Sequence, residues 1–90
     1  MSNYQLTADQ AARLESYGLT QSVFSEVTYV RVAPVMYQGT PYQMVSVQLS
    51  EWTHLDTTPP GWRLLVGPTN VFQSPDLDEV LVWGRLEGLL

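Results

Sequence analysis

The chain has 90 residues, enough for one domain (1–90) with a modest core. Four arginines, no lysine and nine acids give a net charge of −5. The arginines at 13, 31, 63 and 85 are dispersed, which removes the basic cluster that direct nucleic-acid binding draws on, and the lack of cysteine excludes disulfides and cysteine nucleophiles.

An apolar content of 44% is that of a globular chain. No run approaches the ~20 apolar residues of a membrane span, and the Met1-Ser-Asn-Tyr4 start lacks the basic and apolar regions of a signal peptide. The reading is a cytoplasmic protein with no membrane partner.

Residues 1–6 read as a lead-in, with Tyr4 and Leu6 able to rest on the core. Thr7-Ala-Asp-Gln10 is a capping box, in which the threonine hydroxyl accepts from the glutamine amide and the glutamine side chain reaches back. Ala11, Leu14 and Tyr17 follow at helical spacing and Gly18 suits the position after the last turn, which predicts a short helix near 8–17. Leu19 to Val27 carries turn signals at Thr20 and Ser22, with Val23-Phe24 able to begin a strand early.

Thr28–Tyr37 and Tyr42–Glu51 are rich in β-branched and aromatic residues and read as a hairpin turning at Gln38-Gly39-Thr40-Pro41. Pairing Tyr37 with Tyr42 sets Val30 against Leu49, Val32 against Val47 and Pro34 against Val45. That register predicts an aliphatic face of Val30, Val32, Pro34, Met36, Val45, Val47 and Leu49. The opposite face takes Tyr29, Arg31, Ala33, Val35, Tyr37, Tyr42, Met44, Ser46, Gln48 and Ser50. Pro34 has no N–H to give a ladder, so the first strand is expected to be an edge there or to carry a bulge.

Thr53–Gly61 is a proline-stiffened loop between Trp52 and Trp62. Trp62–Val66 reads as a third strand, Gly67–Asn70 as a break, and Val71-Phe72 as a short extension. Ser74-Pro75-Asp76-Leu77-Asp78-Glu79 is a helix start, with serine as N-cap, proline at the first helical position and carboxylates at the positive end of the dipole. The run Val80–Trp83 fits either the ensuing helix or a fourth strand; the helix is favoured, with Gly84 allowing close approach to the sheet. The fold class is therefore α+β: an antiparallel sheet of three to four strands, with an N-terminal and a C-terminal helix on its aliphatic face.

This order resembles the double-stranded-RNA-binding domain in outline. The basic helix start that such domains use is replaced here by Asp76, Asp78 and Glu79, so the resemblance implies no RNA binding.

Chemistry is sparse. His54 and Asp56 form an H-x-D pair, but a metal site needs three or four ligands and the chain has no second histidine. There is neither a G-x-S-x-G motif nor a glycine-rich phosphate loop. The expectation is no enzyme, no cofactor and no metal, with an exposed loop histidine as the ordinary reading of His54.

Tyr29, Arg31, Tyr37, Tyr42 and Met44 are residue types enriched at protein interfaces, and Trp52 and Trp62 flank a stiff loop that costs little to order on binding. These seven are the candidate protein-binding residues, competing with the plainer reading that the tyrosines and tryptophans are core. The expected function is a small acidic module, an inhibitor or adaptor such as a viral or phage protein blocking a host factor. A homodimer through the apolar C-terminal helix or the edge at Pro34 is the first alternative, and a small-molecule or enzymatic role around His54 and Asp56 the second.

Overall fold

The computed structural model describes residues 6–50 and 61–90. Helix α1 spans Ala8–Ser16, opened by the capping box: Gln10 N donates to Thr7 Oγ1 at 3.1 Å and Thr7 N donates to Gln10 Oε1 at 2.9 Å. Its buried residue is Leu14, and Gly18 follows with φ of 83°, a left-handed conformation that glycine adopts without penalty. Five antiparallel strands come next, β1 (Thr20–Gln21), β2 (Thr28–Tyr37), β3 (Thr40–Ser50), β4 (Gly61–Val66) and β5 (Thr69–Ser74), paired in sequence order. Helix α2, Leu77–Leu86, closes the described chain apart from its last four residues, and Val80–Trp83 lie within it.

The α+β class is as expected, while the sheet has five strands rather than three or four. The two-residue β1 had no sequence signal of its own. Strand β5 was anticipated only as Val71-Phe72, because Gly67-Pro68 is a two-residue hairpin turn rather than a four-residue break: Val66 pairs with Thr69 across it. Glycine at the first turn position, with φ of 58°, is the signature of the turn that matches strand twist. Val23-Phe24 begin no strand; they lie in the 22–27 connection.

The start of α2 also differs from expectation. Asp76, not Ser74, is the N-cap, and its carboxylate accepts from Asp78 N at 3.0 Å. Ser74 is buried and accepts from Asp76 N at 3.1 Å, shaping the turn one step earlier, so Pro75 precedes the cap.

The hairpin register is corrected most. The β2–β3 turn is Gln38-Gly39, with φ of 50° and 80°, so Tyr37 pairs with Thr40 and not with Tyr42. A bulge then sets Ala33 and Pro34 against the single residue Gln43: Val35 pairs with Tyr42, but Val32 pairs with Met44. Thus Val32 does not face Val47, Pro34 does not face Val45, and Val30 pairs with Ser46 instead of Leu49. Proline explains the bulge, since it cannot donate to the ladder. The anticipated irregularity at Pro34 is therefore present, and it is what moves the register.

Both helices lie on the side of β3 that carries Val45, Val47 and Leu49. Gly84 of α2 approaches Leu64 of β4 so closely that an added Cβ would lie 3.0 Å from Leu64 Cδ2, and Phe72 of β5 stacks on Trp83 at 4.6 Å. Leu14, Leu19, Tyr29, Val35, Val45, Val47, Trp62, Leu64, Val66, Leu77, Val80, Leu81 and Leu89 make up one buried cluster. Burying each such side chain is worth about 1.5–3 kcal/mol, which accounts for the helices covering this face and not the other. Arg13 joins the helices, donating to Asp9 at 2.5 Å and to Asp78 of α2 at 2.6 Å. These bonds, that with Asp9 first, raise the pKa of its guanidinium. Arg85 of α2 lies over the Tyr17 ring at 5.6 Å.

Candidate binding surface

A strand sends alternate side chains to opposite faces, so the ladder assigns each residue a side. In β3, Tyr42, Met44, Ser46 and Gln48 share the side away from the helices. Their β2 partners Val35, Val32, Val30 and Thr28 join them, Val35 and Ser46 being buried, and Tyr37 follows through Thr40. Strand β4 adds Leu65, the partner of Ser46, and Arg63, the partner of Gln48.

The bulge splits the residues expected to act together. Tyr37, Tyr42 and Met44 remain on one face, the two tyrosines half-buried and Met44 38% exposed. Tyr29 and Arg31 lie beyond the bulge, on the helix side. Tyr29 is only 4% exposed, opposite Val47, and belongs to the core. Arg31 is half-buried and donates to the Leu89 carbonyl at 3.3 Å, tying β2 to the segment after α2. Trp62 is buried opposite Leu49. Trp52, His54, Asp56 and the Thr53–Pro60 part of the loop lie outside the described residues, as does Tyr4.

The expected aliphatic face divides as well. Val45, Val47 and Leu49 do point to the helices, whereas Val30 and Val32 point away, and Val32 is 81% exposed. Residues missed by sequence reasoning are thus Val30, Val32 and Leu65, which place apolar surface beside the two tyrosines. The available signal was the pair Gln38-Gly39 combined with Pro34: a two-residue turn plus one bulged residue gives the observed pairing.

The tyrosine end of this surface is held by backbone geometry. Gly67 N donates to the Met44 carbonyl at 2.9 Å, and a Cβ on Gly67 would stand 2.9 Å from Tyr42 Cδ1. The Tyr42 ring therefore lies directly over the β4–β5 turn, in space that only a glycine leaves open. Among the described residues no group of three His, Asp or Glu side chains is placed to hold a metal ion, and no helix is long and apolar enough to cross a membrane.

No protein-family model matches the chain, and no curated protein or solved structure does so either.

Proposed function

We propose that the protein is a small, acidic, non-catalytic binding module that engages another protein through the helix-free face of its sheet, in the manner of an inhibitor or adaptor. The observation that carries this reading is the exposure of Val32 and Met44 beside half-buried Tyr37 and Tyr42, on the face that strand alternation sets opposite Val45, Val47 and Leu49. Aromatic and methionine side chains around an aliphatic patch are the composition of an interface centre. The partner remains to be identified by affinity capture from the native host. With that partner in hand, the Tyr37→Ala/Tyr42→Ala double variant is expected to stay folded and to bind at least about 100-fold more weakly, as loss of two aromatic anchors implies. Full affinity in the folded double variant would refute the proposal.

The homo-oligomer reading has support of its own in α2, where Val82 and Leu86 lie one turn apart and are exposed. Light scattering separates the two readings, because a monomer at high concentration removes the second.

A further inference from the structure

The two edges of the sheet are not alike. On the outer side of β2, Tyr29 and Val30 are taken by β1, and the Ala33-Pro34 bulge interrupts the strand beyond them. Proline, a bulge and a short covering strand are devices that keep an edge from accepting another strand. Strand β5 has no proline, no charged side chain and, among the described residues, no strand beyond it. Its one irregularity is at Val71, between Asn70, which pairs with Leu65, and Phe72, which pairs with Leu64. Phe72, Gln73 and Ser74 pair regularly with β4, so the backbone groups on their outer side keep the ladder spacing that a further strand needs. Helix α2 sets charge beside this edge. Trp83 stacks on Phe72, and Glu79 and Glu87 stand four residues before and after it, so the three form one stripe on the β5 side of α2. Asp78 and Arg85 are turned the other way, to Arg13 of α1 and to Tyr17 at its end. Both glutamates are exposed, and among the described residues neither has an ion-pair partner.

We infer that β5 accepts an extended segment of another protein as a sixth strand, with lysine or arginine side chains of that segment beside Glu79 and Glu87. Main-chain hydrogen bonds supply the affinity of such strand addition, and side chains at alternate positions supply the choice of partner. The charge also decides which segment is refused. Pairing β5 with the β5 of a second copy across a two-fold axis brings the two glutamate stripes together, and like charges there oppose the contact. A basic segment meets the same stripe with opposite charge. The edge is separate from the helix-free face, so the inference does not rest on the function proposed above.

The test uses synthetic peptides of alternating valine and threonine as the probe. One carries lysines on one face, a second carries glutamates in their place, and a third is the lysine peptide methylated at its backbone nitrogens, so that it cannot donate to a ladder. Each is titrated to about 1 mM into the full chain labelled with nitrogen-15, and the amide resonances are followed. The lysine peptide is expected to move the amides of Phe72, Gln73 and Ser74 and to slow their hydrogen exchange, with half-saturation at about 0.1–1 mM. The glutamate and methylated peptides should bind at least about tenfold more weakly. Glu79→Gln/Glu87→Gln, both at exposed positions, should keep the circular dichroism spectrum and weaken the lysine peptide about 2- to 30-fold, the range for two surface ion pairs, while reducing the salt dependence of binding. Equal binding of the lysine and glutamate peptides would overturn the inference. So would undiminished binding of the methylated peptide, shifts confined to β2 or to the helix-free face, or no binding up to about 1 mM.

Discussion

Replacing Tyr29 by alanine separates the observed register from the one that simple alternation suggests. Tyr29 is 4% exposed and pairs with Val47, itself fully buried, so its ring is part of the wall between the sheet and the helices. Removing a large buried aromatic side chain costs about 3–5 kcal/mol, the transfer loss plus the cavity left behind. A chain of this length has roughly 5–13 kcal/mol in total, so Tyr29→Ala should lose a large part of its stability. Tyr37→Ala, at the half-buried end of the hairpin, should lose less than about 1.5 kcal/mol. Urea unfolding followed by circular dichroism measures both, with the midpoint falling far for the first variant and little for the second. In thermal melts the Tyr29→Ala shift should be about 12–40 °C, at about 4–8 °C per kcal/mol. Tyr29→Phe keeps the ring and should stay within about 1 kcal/mol of the parent. Equal small losses at Tyr29 and Tyr37 would refute the reasoning, since that is the outcome if both tyrosines share one exposed face.

Further outcomes follow from the same structure. Gly67→Ala places a Cβ on a residue with φ of 58° and against the Tyr42 ring, and should destabilise by about 1–3 kcal/mol in urea while shifting the Tyr42 ring resonances. Thr7→Ala removes the hydroxyl half of the capping box and should cost about 0.5–2 kcal/mol, read from the same melts. Arg13→Gln breaks two solvent-exposed ion pairs between and within the helices; its effect on the melting temperature should be slight at low ionic strength and vanish in high salt.

Much of the fold was legible because local signals acted alone. The Thr7–Gln10 capping box, the Leu14 helix face and the alternation of Val45, Val47 and Leu49 each correspond to what is observed. The candidate surface was harder, because it depends on the product of two local features. Gln38-Gly39 shortens the turn by two residues and Pro34 inserts one into β2, and a strand's side-chain alternation turns such a shift into an exchange of faces. The expected grouping of Tyr37, Tyr42 and Met44 survives because Tyr37 lies on the turn side of the bulge, while Tyr42 and Met44 belong to β3, whose alternation an extra residue in β2 does not break. Tyr29 and Arg31 lie past it and pass to the core side. The exposed Val23-Phe24 pair carried only an ambiguous strand signal, since exposure is a tertiary property and β-propensity reports the residue type.

The bulge at Ala33-Pro34 distributes the hairpin between a helix-covered face and the opposite face proposed to bind. Cross-strand backbone nuclear Overhauser effects test it most directly, since paired residues in an antiparallel ladder bring their Cα atoms to ~4.5–5.5 Å. The account predicts contacts between Tyr29 and Val47, between Val32 and Met44, and between Val35 and Tyr42. Contacts between Val32 and Val47 and between Tyr37 and Tyr42 would contradict it.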